Sequence, residues 1–287
     1  MQNYVERGAR DYHCGFLTYP GHKGTDIRVT DYDEFVHGVA VTAAAAGRVR
    51  AIRDGMQDIS IRAPGAPSVE GKEAGNSVLL EHGDGWETQY GHMRRGSVKV
   101  RPGDQVERGD VLGVVGLSGQ TEFPHLHFEV RRAGRVVDPF DGQEPVAACG
   151  AGGTPLWGSR TLRALEYQPS GVLDAGISGS EPVLANGELD RAKLQPLSKS
   201  AGAAIFWAQL YGLQQGDVQR IRFLGPGGKV IAEKNIPVTR NLAQSLAYIG
   251  ASRKFFSWST GTYRGEYALV RGSEKVVELS REFTVPR

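Results

Sequence analysis

The chain has 287 residues, enough for about two buried cores of ordinary size. A net charge of +2 and a hydrophobic content of 40% describe an ordinary globular chain and give no footing for nucleic-acid binding, which needs a basic surplus. No stretch stays apolar for long enough to cross a membrane as a helix.

In chain order, the first twelve residues carry no apolar run behind their charges, so no signal peptide is visible. Next comes Gly21-His22-Lys23-Gly24-Thr25-Asp26-Ile27. His22 and Asp26 flank a glycine-containing loop that leads into the alternating segment 26–29, and such a loop can bend both side chains toward one point. Alone, His-x3-Asp is a weak pattern, matched equally well by a turn-capping Asp beside an exposed His. From Ile27 to Val130 the chain reads as short strands punctuated by turns, with no helical period. Residues 39–43 and 47–53 alternate as half-buried strands do. Residues 77–82 run to the turn Gly83-Asp84-Gly85 and return through 86–90, delivering His92. The Gly- and Pro-rich stretch 63–75 is predicted to be a surface loop walling one side of a cleft. The turn-rich segment 101–113 is similar to the hairpins of biotinyl and lipoyl carrier barrels, but no Lys stands at a hairpin tip for covalent attachment.

The strongest signal is Pro124-His125-Leu126-His127-Phe128-Glu129-Val130. Side chains alternate across a strand, so both imidazoles face one way while Phe128 and Val130 face a core. Two neutral imidazoles on one face suit a divalent metal or paired acid/base work. One imidazole and one carboxylate from the His22–Asp26 loop, with one imidazole of this pair, make three ligands. A fourth tetrahedral position is then left for water, as a catalytic zinc requires; a structural zinc would need a fourth protein ligand there. His13, His37 and His82 lack such company and read as surface or satisfied core residues.

These residues resemble the M23 family of lysostaphin-type zinc metallopeptidases, whose members cut peptidoglycan peptides. The resemblance rests on His22 to Asp26, on Tyr90-Gly91-His92-Met93 and on His125-Leu126-His127-Phe128, and covers about residues 12–140. It implies an antiparallel, barrel-sandwich-like β domain, Zn2+ held by His22, Asp26 and His127, and catalytic roles for His92 and His125. The substrate class implied is peptidoglycan peptides. The alternative is a non-catalytic relative that binds wall or activates another hydrolase, but such relatives lack metal ligands that this chain retains. Where many members have Thr-Gly before Pro-His, this chain has Glu122-Phe123, a bulkier pair at the rim of the cleft. A wall hydrolase must be exported, so the expected location is periplasmic or extracellular, with a leader removed. Cys14 and Cys149 bracket the domain and either form a disulfide stapling its ends or stand as unpaired thiols.

After Asp138-Pro139-Phe140 the composition shifts, and the Gly-rich stretch 150–155 reads as a linker between a domain 1–150 and a domain 151–287. Segments 204–210, 220–224, 229–233, 265–271 and 276–279 are predicted strands of a smaller, accessory β-sandwich similar to immunoglobulin or fibronectin modules. Residues 242–248 read as a short helix or a crossing loop. No constellation of titratable groups occurs in this half, and Trp207, Phe255, Phe256, Trp258, Tyr263 and Tyr267 are expected to be core.

Overall fold

A computed structural model describes residues 2–7, 10–29, 32–145, 148–185, 188–253 and 257–286. The chain divides into two compact units, Met1–Tyr167 and Gln168–Arg287.

The first unit contains β1 (Gln2–Asn3), β2 (Thr25–Arg28), α1 (Tyr32–His37), β3 (Ala40–Thr42), β4 (Gly47–Arg53), β5 (Asn76–Glu81), β6 (Trp86–Met93), β7 (Gln105–Val106), β8 (Val111–Val114), β9 (His125–Arg132), β10 (Arg135–Val137) and α2 (Ser159–Ala164). Its main sheet is antiparallel in the order β1-β2-β9-β6-β5-β4-β7, with β10 paired to β9; β3 and β8 form a second, two-stranded sheet. Apolar residues alternate into one core: Val78 and Leu80 from β5, Tyr90 from β6, and Phe128 and Val130 from β9, against Val41 and Leu112 of the small sheet. The strands follow the sequence pattern closely. The exceptions are α1 and α2, each six residues long and too short to display a helical period.

Cys14 and Cys149 are joined in a disulfide, with their Cα atoms 5.1 Å apart. It closes a loop of 135 residues, a constraint worth about 5 kcal/mol on the chain-entropy account. Beyond it, Trp157 packs on Phe128 at 5.2 Å between ring centroids, so this stretch lies against the core of the first unit.

The second unit contains β11 (Gly171–Ser178), β12 (Leu184–Ala185), β13 (Glu188–Leu189), β14 (Ala203–Leu213), β15 (Val218–Leu224), β16 (Val230–Pro237), β17 (Leu242–Ser252), β18 (Gly261–Arg271) and β19 (Glu274–Val285). Sheets β11-β14-β17 and β16-β15-β18-β19 enclose Phe206, Leu210, Ile221, Phe223, Tyr263, Tyr267 and Leu269, a β-sandwich core. Trp207, Trp258, Tyr263 and Tyr267 are all buried; Phe255 and Phe256 lie outside the described residues. Residues 242–248, read from sequence as helix or loop, belong to the strand β17. Leu, Ala and Gln favour helix locally, and pairing along the length of β14 overrides that preference.

Candidate metal centre

β2 and β9 are direct neighbours, with Asp26 opposite His127 and Arg28 opposite His125. The strand period then places His125, His127, Glu129 and Arg131 on one face of β9, and Phe128 and Val130 in the core. His22 reaches the same point from the loop before β2. That loop must pass close to β9, and a Cβ at Gly24 would meet His127 Nε2 at 2.6 Å and the Phe128 carbonyl at 2.7 Å, so glycine is required there.

His92 arrives from the other side. Between Asn76 and Val78 the β5–β6 register slips, so Gly91 and His92 together oppose Ser77 in a bulge. His92 takes a left-handed backbone with φ 56°, a conformation that costs an L-residue energy and that clusters at functional positions. Its N–H donates to the Ala74 carbonyl at 2.7 Å, which holds the end of loop 63–75 beside the site.

The hydrogen bonds fix the tautomers, because a backbone carbonyl only accepts. His22 Nδ1 donates to Tyr4 O at 2.7 Å, His92 Nδ1 to Ser118 O at 2.8 Å, and His125 Nδ1 to Phe123 O at 2.9 Å. In each ring, when neutral, the Nε2 lone pair is therefore left free. His22 Nε2 lies 3.1 Å from Asp26 Oδ1 and 3.3 Å from His127 Nδ1, and His127 Nδ1 lies 2.9 Å from Asp26 Oδ1. His125 Nε2, buried and without a hydrogen-bond partner, is 3.2 Å from the same oxygen. The His92 and His125 rings are 4.7 Å apart. All five residues predicted from sequence thus come together. Each of these close contacts needs either a proton or a metal ion between its two atoms.

Without an ion, protons on the imidazoles fill that role beside Asp26. Burial pushes the Asp26 carboxyl up, but the positive charge that His125 and His22 can carry outweighs it and holds Asp26 well below the usual carboxylate range. Burial alone would lower His127; the carboxylates of Asp26 and Glu129 more than offset this and raise it to about 9. Burial, with His125 and His127 nearby, holds His92 well below the ordinary histidine value. Among the described residues, two sets have ligand atoms close enough to hold a metal: His22, Asp26 and His127, and His92, His125 and His127.

Sequence reasoning missed the residues around this cluster. Glu129 is buried, with Oε2 3.9 Å from His127 Nε2, while Arg131 Nε donates to Glu129 Oε1 at 2.7 Å and Arg131 Nη2 to Gln89 Oε1 at 2.7 Å. Tyr19 stacks on His22 at 4.2 Å with its hydroxyl 3.4 Å from Asp26 Oδ2. Period-2 alternation along β9 already put Glu129 beside His127; nothing in the spacing marked Tyr4 or Ser118, which act through backbone carbonyls. Of the other histidines, His82 is satisfied by Ala46 O and Thr88 Oγ1, and His13 stacks on Tyr167.

The model of the family described as Peptidase family M23 matches residues 20–139. The chain is 41% identical over 100 residues to the cell division protein DipM of Caulobacter vibrioides, covering 30% of this chain and 16% of that protein. It is 36% identical over 75 residues to the peptidoglycan DD-endopeptidase ShyA of Vibrio cholerae, covering 26% of this chain and 17% of the relative. It is 34% identical over 102 residues to the DD-carboxypeptidase/endopeptidase Mpg of Neisseria meningitidis, covering 36% and 21%. These matches span about a fifth or less of the length of those relatives. Among solved structures, the catalytic domain of lysostaphin from Staphylococcus simulans is 24% identical, covering 41% of this chain and 75% of that one, with a TM-score of 0.30. Residues 20–139 of the chain are a peptidase family M23 domain.

Proposed function

We propose that the first unit is a zinc-dependent endopeptidase that hydrolyses peptide bonds in peptidoglycan. The observation that carries this reading is the convergence of His22 Nε2, Asp26 Oδ1 and His127 Nδ1 within 2.9–3.3 Å of one another. A tetrahedral ion with bonds of about 2.1 Å separates its ligands by roughly 3.4 Å, so these three atoms close on a zinc with only a small outward shift. They include the one carboxylate of the cluster, which favours this set over the three-histidine set. The names of ShyA and Mpg support the substrate class.

A zinc ion held there would polarise the scissile carbonyl and lower the pKa of a water molecule. His92 and His125 supply the proton chemistry. Each is anchored through Nδ1 to a backbone carbonyl, with Nε2 turned into the site, so one can accept a proton from the attacking water and pass it to the leaving amine. The other, when protonated, donates to the oxygen on which charge develops. The second unit, with no comparable cluster among its described residues, is read as an accessory β-sandwich. The Cys14–Cys149 disulfide and a wall substrate together favour a periplasmic or extracellular location. No helix among the described residues is long and apolar enough to cross a membrane.

The decisive experiment is metal content of the purified chain alongside hydrolysis of purified peptidoglycan. One equivalent of zinc with release of new amino termini is expected. Zinc without hydrolysis would favour the non-catalytic reading, and absence of bound zinc at saturating metal would overturn the ligand set.

A further inference from the structure

We infer that residues 2–7 and 10–22, which begin ahead of the family match at residue 20, are a working part of the metal centre: backbone from this segment fixes His22 in its cation-binding form, and the Cys14–Cys149 disulfide keeps it in place. This rests on the reading of His22 as a metal ligand.

β1 adds to the edge of β2, with Asn3 opposite the ligand Asp26. The chain then grips the loop that carries His22. Glu6 N donates to His22 O at 2.9 Å and Tyr4 N to Leu17 O at 2.8 Å. Tyr4 O receives both Thr18 Oγ1 at 2.8 Å and His22 Nδ1 at 2.7 Å. The last contact decides the chemistry. While it holds, a neutral ring keeps its proton on Nδ1 and turns Nε2 toward Asp26 and His127; without it, that ring is free to carry the proton on Nε2 and present no donor pair to a cation. Outer partners of this kind typically tune metal affinity by about 10–100-fold.

The grip is itself anchored. The buried Tyr4 ring packs edge-on to Tyr12 and Phe140 at 5.1 and 4.9 Å and stacks on Tyr167. Asp11, fully buried, accepts from the N–H groups of His13, Gly15 and Leu17 and from the Tyr167 hydroxyl. Cys14 lies inside this turn, in a left-handed conformation with φ 61°, and Gly150 N donates to Tyr12 O at 3.0 Å beside the disulfide. A continuous path therefore runs from the disulfide through the Asp11 turn to Leu17, Tyr4 and His22.

Two readouts on the full chain test this. The first is zinc affinity, by competition with a chromophoric chelator. The second is the tautomer of His22 in the metal-free protein, read from its ring 15N shifts. Oxidised wild type is compared with the Cys14→Ser/Cys149→Ser variant and with wild type treated with a phosphine. In that treatment the S–S bond breaks, each sulfur gains a hydrogen, and the phosphine becomes its oxide with oxygen from water. The unlinked forms are expected to bind zinc about 10-fold more weakly, to populate both tautomers, and to recover kcat when zinc is in excess. Thr18→Val, which keeps the disulfide but removes one of the two donors that align the Tyr4 carbonyl, should shift both readouts in the same direction. Folded unlinked forms with wild-type affinity and a single Nδ1–H tautomer overturn the inference. If the unlinked variant does not fold, unchanged readouts in Thr18→Val overturn it. Wild type that binds no zinc removes the metal reading instead, and the tautomer comparison still decides the role of the segment.

Discussion

Asp26 and His127 sit opposite each other in the β2–β9 ladder, with Oδ1 and Nδ1 2.9 Å apart, so the backbone register of two strands sets one edge of the proposed zinc site. Loss of either end should leave the sheet intact and the ion unheld. Asp26→Ala and His22→Ala are each expected to lower zinc occupancy and hydrolysis together, because the ligands bind cooperatively. Metal analysis of the folded variants checks this. A variant that kept one full equivalent of zinc would sink the assignment of that ligand.

The two histidines of β9 divide differently. His127→Ala should lose zinc. His125→Ala and His92→Ala should keep it, since their Nδ1 atoms are committed to Phe123 O and Ser118 O and the proposed function assigns their Nε2 atoms to proton transfer. Their loss should fall mainly on kcat, by roughly 10²-fold or more, because they act on charge that develops in the transition state. Kinetics beside metal content separates the roles. Zinc loss in His125→Ala with retention in His127→Ala would reverse them.

Much of this site was legible because two of its relations are local. Alternation along β9 faces His125 and His127 the same way, and a four-residue spacing lets one loop turn both His22 and Asp26 inward. The pairing of Cys14 with Cys149 was open in the sequence, since closing a 135-residue separation depends on the fold. The grip of Tyr4 on His22 left no trace at all, because any residue type has a carbonyl. The strand β17 was missed for a related reason: its Leu, Ala and Gln content speaks for helix, and only the long edge of β14 makes it a strand.

Asp138 gives a pH signature that does not involve the metal site. Burial first, and Asp141 next to it, push its carboxyl up to about 6 despite the Phe140 N–H and Arg7. A carboxyl raised in the folded state contributes stability that is complete below its ordinary value of 3.8 and is lost as pH rises through about 6. A shift of that size corresponds to at most ~3 kcal/mol. Asp138→Asn keeps an acceptor for the Phe140 N–H and leaves Arg7 paired with Asp141 at 2.7 Å. Urea unfolding across this range should show wild type losing stability relative to the variant as pH rises. Parallel curves would count against a raised value.

Every residue named in the site belongs to the first unit. A chain ended after Tyr167, which keeps both cysteines, should therefore fold, bind zinc and hydrolyse a small soluble peptide at close to the full-length rate. Activity on intact wall is expected to fall if the β-sandwich has an accessory role. Complete loss on the small peptide, in a folded truncation, would place part of the catalytic machinery in the second unit.

The pair Glu122-Phe123 is where this chain departs from the Thr-Gly of many M23 members, and its contacts suggest a role in substrate choice. The Phe123 ring lies 4.9 Å from the His125 ring and carries the Arg28 guanidinium 4.7 Å above it, while Glu122 pairs with Arg62 at 2.7 Å. An aromatic wall and three charged groups thus belong to the stretch beside the proposed catalytic histidine. The Phe123 carbonyl that anchors His125 also accepts from Thr121 Oγ1 at 2.8 Å, so removing the ring should leave the anchor in place. Phe123→Ala is accordingly expected to keep zinc content and to change kcat by only a few-fold. Its preference between peptides that differ in bulk next to the scissile bond should change by about 10-fold, the scale of an apolar pocket contact. The measurement is the ratio of kcat/KM for a matched pair of peptides, one with glycine and one with a branched residue at that position. A ratio equal to that of wild type would show that the ring does not touch the substrate, and loss of zinc would show that it supports the metal site instead.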